Sequence, residues 1–332
     1  MKTSLMKKHL TDEMYSNLKS FKTKSGYTLD MAINSGIKNP DSSIGIYAGD
    51  EESYTLFGDI FNPIIKEYHG FSKDDKHKTC LHVDDLRDAS IDDEAIISTR
   101  IRVGRNLLDF PLGTNISKKQ RDEVEKRVIN ALKSLTCKGR YYSLESMSKE
   151  DREELIKEHF LFKEGDRFLK FAGLNRDWPS SRGIYHNEEK TFLVWVNEED
   201  QLRIISMQKG GDIKEVFTRL VQFLNELEQK LTFSYSKHLG FITSCPTNLG
   251  TAMRASVHVK LPNLSQDMPK FESICKKHHL QIRGIHGEHS KSEEGIFDIS
   301  NKRRLGVSEV ECVQDMVDGV RALLHVEKNL YM

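Results

Sequence analysis

Two apolar runs, TFLVWV (191–196) and LRIISM (202–207), flank a short acidic turn, Asn197 to Asp200. Parallel strands need a crossover of about a dozen residues or more, so runs this close pair as an antiparallel hairpin. The other strand-like stretches are IISTRIRV (96–103), GFITSC (240–245), SVHVKL (256–261), QIRG (281–284) and GIFDIS (295–300), and they do not alternate regularly with helices. Strands joined by hairpins and mixed with helices make the expected class α+β, a mainly antiparallel sheet flanked by helices.

Helix starts are marked by side chains that satisfy the free amides of a first turn: Ser117 with Gln120, Asp212 with Glu215, and Ser308 with Glu311. After the last two caps, Val216, Leu220, Val221 and Leu224, and then Val313, Met316, Val317 and Val320, form the apolar stripes of core-facing helices. Residues 1–70 carry short helical patterns (LTDEMYSNLKSF, TLDMAINSGI) and read as a small all-helical domain. FSKDDKHKTCLHVDDLRDASIDDE (71–94) is polar and lacks apolar periodicity, so it reads as a linker to a larger domain, 95–332.

Lys plus Arg and Asp plus Glu both total 50, so no global field favours nucleic acid or an acidic membrane surface, and any anion site must be local. The five cysteines have no paired spacing that would hold zinc, and they fit a reduced, cytoplasmic protein. No run approaches the ~20 apolar residues needed to span a bilayer, and the start has no signal-peptide core.

Arginines concentrate at strands. IISTRIRV alternates, with Ile97, Thr99, Ile101 and Val103 on one face and Ser98, Arg100 and Arg102 on the other. Arg203 opens the strand after the acidic turn, Arg254 precedes an alternating strand that carries His258, and Arg283 precedes a glycine-bearing loop. One such arginine is ordinarily a solvated edge charge; five together suit a polyphosphate, because guanidinium forks match phosphate oxygens two at a time. The chain has no Gly-Lys pair and no Gly-x-Gly, so a phosphate site here must rely on side chains rather than a glycine loop.

Glu198, Glu199 and Asp200 in the turn, and Glu288 in RGIHGEHS, are the acids that could face a cationic acceptor. A guanidinium is planar and protonated in water, and it attacks phosphorus only after losing a proton, which a pair of glutamates could accept. Cys245 ends its strand as either an apolar filler or, beside the arginines, a thiol of lowered pKa that pairs with a guanidinium nitrogen. His159 is placed late in a helix, and His286 and His289 lack the further ligands of a zinc site.

STRIR (98–102), FLVWVNEED with LRIISMQKGGD, CPTNLGTAMRASVHVKLP (245–262), RGIHGEH (283–289) and DISNKRRLG (298–306) together resemble the phosphagen (guanidino) kinases. The resemblance covers nearly the whole chain. It implies reversible transfer of the γ-phosphoryl of MgATP to a small guanidino compound, with magnesium held by ATP and water and Glu198 and Asp200 at most indirect. It further implies nucleotide contacts from Ser98, Arg100, Arg102, His159, Arg203, Arg254, His258 and Arg283, and acceptor contacts from Glu199, Glu288 and Cys245. Ser42, Ser43, Ile44, Gly45 and Tyr47 match the family's acceptor-specificity loop, and Ile44 and Tyr47 favour arginine over taurocyamine, lombricine or creatine. Departures are Ser43 in place of a usual glycine, His286 where some relatives have arginine, and a start later than is typical. A protein-arginine kinase and a non-enzymatic nucleotide-binding module are the remaining readings. The glycine-flanked loop 284–295 is the expected lid, and a monomer or homodimer the expected assembly.

Overall fold

The computed structural model describes residues 3–284 and 295–330. Five helices come first: α1 (Leu5–His9), α2 (Asp12–Leu18), α3 (Leu29–Lys38), α4 (Ser53–Leu56) and α5 (Gly58–His69). The hydroxyls of Ser4, Thr11 and Thr28 cap α1 to α3 by accepting from the amide three residues on. Ile33, Phe57, Ile60, Phe61 and Ile64 form the centre of this unit, each at most 4% exposed. Gly70, in the left-handed region (φ 69°), ends α5.

Eight strands make one sheet: β1 (Ile96–Arg105), β2 (Gly139–Ser143), β3 (Gly183–Asn187), β4 (Phe192–Val196), β5 (Leu202–Lys209), β8 (Met253–Lys260), β9 (Leu280–Gly284) and β10 (Ile296–Asn301). Their order is β2-β3-β4-β5-β1-β8-β10-β9, and every pairing is antiparallel. β6 (Tyr235–Ser236) and β7 (Gly240–Phe241) form a separate small ribbon. The remaining helices are α6 (Lys118–Leu132), α7 (Lys149–Lys157), α8 (Arg167–Phe171), α9 (Ile213–Glu228), α10 (Met268–Lys277) and α11 (Glu309–Asn329). The stripes of α9 and α11 enter one core with Ile101, Val103, Ile204 and Val257, all fully buried, so helices cover one sheet face. Removing that area from water stabilises by roughly 25 cal/mol per Å².

Four details differ from the sequence reading. A register shift between Ile96 and Ser98 turns Ile97 outward, 42% exposed, so strict alternation holds only from Ser98 onward. GFITSC is extended chain of which only Gly240 and Phe241 form strand, because the backbone of Ile242, Thr243 and Ser244 bonds to Ser234, Asn106, Tyr54 and Ala48 instead of a ladder. Capping boxes close α6 and α11, whereas Asp212 caps α9 without a reciprocal bond. The expected linker is packed along part of its length: Leu86, Ala89 and Ile91 join the large core, and Glu309 accepts from Thr79 and Cys80.

The small helical unit is not isolated from the sheet. Ala48 donates to the Ser244 carbonyl (2.8 Å), the Tyr54 hydroxyl to that of Thr243 (2.7 Å) and His69 to that of Pro246 (2.9 Å). Ile44, Tyr47, Ile242, Cys245 and Leu249 therefore share one apolar cluster.

Candidate active site

Directly opposed residues on antiparallel strands share a face, and that geometry collects the dispersed arginines. Arg102 lies opposite Arg254, Gly104 opposite Arg203, Arg100 opposite Ser256, and Ser98 opposite His258. Asp298 lies opposite both His258 and Arg283. At the other end of the same face Leu144, Leu161 and Phe162 cover Ile184, Leu193, Trp195 and Ile205. Beyond that apolar cover runs a polar strip whose cations come from β1, β5, β8 and β9. Trp195 lies beside it, with the guanidinium carbons of Arg100 and Arg203 5.2 and 5.8 Å from its ring.

His159 is not in a helix but two residues beyond α7, in the left-handed region (φ 64°) and exposed. Its amide donates to the Ile156 carbonyl as the helix ends, and the turn leaves it near enough for its charge to act on His258.

Electrostatically the strip is unbalanced. Among the described residues Arg100 and Arg102 form no hydrogen bond or ion pair through their guanidinium groups. Burial, then repulsion from Arg254 and Arg203, brings Arg100 down to about 10, and the same causes hold Arg102 well below an ordinary arginine. Asp298 is the local counter-charge, with Oδ2 2.8 Å from Arg254 Nη2 and 3.9 Å from His258 Nε2. Burial opposes its charge, yet Arg254, His258 and Arg102 hold its pKa below the ordinary carboxylate value. Cations packed this way are relieved by a polyanion.

The acidic turn closes one end of the strip. Arg203 donates to Glu198 (3.1 Å) and Glu199 (3.2 Å), and the Glu199 amide donates to the other oxygen of Glu198 (2.7 Å). Asn248 donates to the remaining Glu199 oxygen (3.3 Å) and is itself held by Arg304. Burial first, and repulsion from Asp200 and Glu198 second, push the Glu199 carboxyl up in spite of Arg203. Gly104 has no side chain for a spatial reason: a Cβ there would lie 2.4 Å from Asp200 Oδ2.

Cys245 lies beside this turn, 7% exposed, with Sγ 3.0 Å from the Thr247 hydroxyl. The expected depressed thiol is not what the site produces. Burial and the nearby Glu199 charge push it up to about 12, outweighing Thr247 and Arg304, because the arginine nearest it is only a minor influence.

Across from the thiol runs the loop Ser42–Tyr47. Gly36 and Gly45 meet closely, the Gly36 amide donating to the Gly45 carbonyl (3.1 Å), and Leu5 and Met6 donate to the carbonyls of Ser43 and Ile44. Among the described residues the amides of Ser43, Ile44 and Gly45 donate to no protein acceptor. The Tyr47 hydroxyl is raised by burial and by the charges of Cys245 and Glu199, which places its ring near both.

Glu288, His286, His289 and the body of the expected lid, 285–294, lie outside the described residues. Asp298, Asn248 and Trp195 also line the candidate site, and the sequence carries no signal for them, since cross-strand register brings Asp298 and Trp195 to the arginines and the turn Pro246–Asn248 brings Asn248 to Glu199. A roomier concavity of about 540 Å³ near Tyr142, His186 and Lys190 contains none of the candidate residues, so size alone misplaces the site. Among the described residues no group of three or more His, Cys, Asp or Glu could hold a metal ion, and no helix is long and apolar enough to cross a membrane.

Comparison with known proteins agrees with this geometry. Residues 1–66 match the ATP:guanido phosphotransferase N-terminal domain, and residues 123–330 match the C-terminal catalytic domain of the same family. An arginine kinase of Anthopleura japonica is 53% identical over 98% of the chain, which spans 46% of that relative's length. An arginine kinase of Plodia interpunctella is 51% identical, again over 98% of the chain and over 94% of the relative. A lombricine kinase crystal structure superposes with a TM-score of 0.94 at 40% identity, covering 99% of this chain and 93% of its own. A taurocyamine kinase from Schistosoma mansoni, with bound transition state analog components, gives 0.92 at 43% identity over 98% of this chain and 46% of its own. With a strip of partly buried arginines beside the Glu199 turn, matches to both family domains and relatives 51–53% identical over nearly the whole chain, this protein belongs to the ATP:guanido phosphotransferase family.

Proposed function

We propose that the chain transfers the γ-phosphoryl of MgATP reversibly to the guanidino group of L-arginine, giving phosphoarginine and ADP. The observation that carries the reading is the juxtaposition of Arg100, Arg102, Arg203 and Arg254 with Glu199, next to the cluster shared by Cys245 and Tyr47. In this reading the arginines, with Arg283, neutralise the triphosphate, while Ser98, His159 and His258 border the rest of the nucleotide. Glu199, with Glu288 as the second carboxylate, aligns the acceptor guanidinium and takes its proton. A P–N bond forms as the P–O bond to ADP breaks, in line, without a phosphoenzyme.

The raised Glu199 pKa suits a base, since proton affinity nearer neutrality strengthens proton abstraction. Most of the acceleration comes from alignment of two substrates and from fixed charge on the transferring group. Cys245 reaches the guanidinium as a neutral thiol, or loses its proton when the cation offsets Glu199. The amides of Ser43, Ile44 and Gly45, which among the described residues donate to no protein acceptor, and the Tyr47 hydroxyl are suited to the carboxylate of an amino acid. In this reading magnesium is carried by ATP and water, with Glu198 and Asp200 at most indirect. A cytoplasmic enzyme that buffers ATP fits this reading.

Arginine is preferred as acceptor because relatives 51–53% identical are named arginine kinases, whereas the lombricine and taurocyamine kinase structures are 40–43% identical. Magnesium-dependent ADP release with L-arginine, taurocyamine, lombricine and creatine offered separately tests it. Turnover on L-arginine, abolished in Glu199→Gln with ATP still bound, is the expected result; silence on every acceptor overturns the reading.

A further inference from the structure

The ion pairs that hold Glu199 in the free enzyme cannot all persist during reaction. Arg203 donates to both Glu198 and Glu199, yet the proposed function directs it to phosphate and directs Glu199 to the acceptor. Something that touches neither substrate must keep the acidic turn in place.

Asn106, the residue after β1, is 1% exposed and lies beneath that turn. Its Nδ2 donates to Asp200 Oδ1 (2.9 Å) and to the Ile242 carbonyl (2.9 Å), and its Oδ1 accepts from the Gln201 amide (2.9 Å). Two acceptors on one side and a donor on the other allow only one orientation of the amide. Its backbone carbonyl accepts from Ser234 (2.8 Å), and the Gln201 side chain bridges the Leu107 amide and the Pro111 carbonyl. The adjoining Thr243 donates its hydroxyl to the Cys245 carbonyl (2.9 Å), while its own carbonyl takes the Tyr54 hydroxyl. One buried side chain therefore ties the turn carrying Glu199 to the segment ending at Cys245.

We propose that Asn106 is a positioning residue for phosphoryl transfer, fixing the spacing between the Glu199 turn and Cys245. This rests on the reading of those two residues given above. Among the described residues the Asn106 side chain hydrogen-bonds to neither the nucleotide strip nor the acceptor loop, so its loss acts on alignment rather than on ATP affinity.

The test compares Asn106→Ala, Asn106→Ser and the isosteric Asn106→Asp with the wild type in the full chain. It reads kcat and KM with MgATP and L-arginine, ATP affinity by calorimetry, and alkylation of Cys245 by iodoacetamide without substrates, followed on the Cys245 peptide by mass spectrometry. Asn106→Ala is expected to lower kcat at least about tenfold, with ATP affinity kept within about twofold and Cys245 labelled several times faster. Asn106→Asp, which sets a second carboxylate against Asp200, is expected to be at least as slow, and Asn106→Ser, which retains a small donor, intermediate. Wild-type turnover in Asn106→Asp, kcat and ATP affinity falling in step, or unchanged Cys245 labelling overturns the proposal. If the wild type transfers phosphate to none of the acceptors, the functional reading fails, and the labelling comparison still decides whether Asn106 controls Cys245. Should Asn106→Ala not fold, the Asp and Ser variants carry the same comparison.

Discussion

Asp298→Asn removes the carboxylate paired with Arg254 in the arginine strip without changing side-chain shape. Asp298 is 9% exposed and its Oδ2 lies 2.8 Å from Arg254 Nη2. Two charges about 4 Å apart at an effective dielectric of ~20 attract by about 4 kcal/mol. Part of that is offset because the variant no longer buries a carboxylate, leaving a net loss of about 2–4 kcal/mol. At ~2.1 cal/mol/K per residue, 332 residues give an unfolding entropy near 0.7 kcal/mol/K, so Tm should fall by about 3–6 °C. The pH dependence follows from the depressed pKa of Asp298. A carboxylate held below its unfolded value stabilises fully above that value, and the contribution disappears as pH falls through the folded value. Thermal unfolding monitored by circular dichroism, without nucleotide, should show the full gap at pH 7, retain it to about pH 4, and lose it below. An unchanged Tm at pH 7, or a gap that widens in acid, would refute the assignment of Asp298 as the strip's counter-charge.

Glu199 has the opposite shift, raised by burial and by Asp200 and Glu198, and in the proposed role of base it must be ionised. The acid limb of kcat/KM should therefore lie above the ordinary carboxylate range, and Asp200→Asn should move it to lower pH; a limb unmoved by that substitution would count against the coupling. Because Glu199 also raises the Cys245 thiol, Glu199→Gln should move the pH profile of Cys245 alkylation to lower pH, and an identical profile would separate the two groups. Gly104→Ala would force Asp200 Oδ2 away from a Cβ only 2.4 Å distant. The expected result is a stability loss of about 1–3 kcal/mol in denaturant titration together with reduced turnover, and full activity would show that the turn relaxes freely.

What the sequence determined by itself follows from local rules. Caps at Ser117 and Ser308, the stripe Val216–Leu220–Leu224 and the short Asn197–Asp200 turn announce helices and an antiparallel hairpin, because hydrogen-bond satisfaction and side-chain period act over a few residues. Which arginines meet is not such a local property. Arg102 finds Arg254 through a register set across strands 152 positions apart (254 minus 102), and Asp298 reaches Arg254 only because β10 lies beside β8. The protonation tendencies were decided later still: the sequence places Cys245 within reach of arginines, but depth of burial and a carboxylate from another loop raise its thiol. Asn106 shows the same limit, an ordinary polar residue by its neighbours in the chain and a three-way tie once the turn, the strand end and the thiol segment converge. Charge and burial are sums over everything nearby in space, and spatial neighbours are assigned by the sheet rather than by the order of residues.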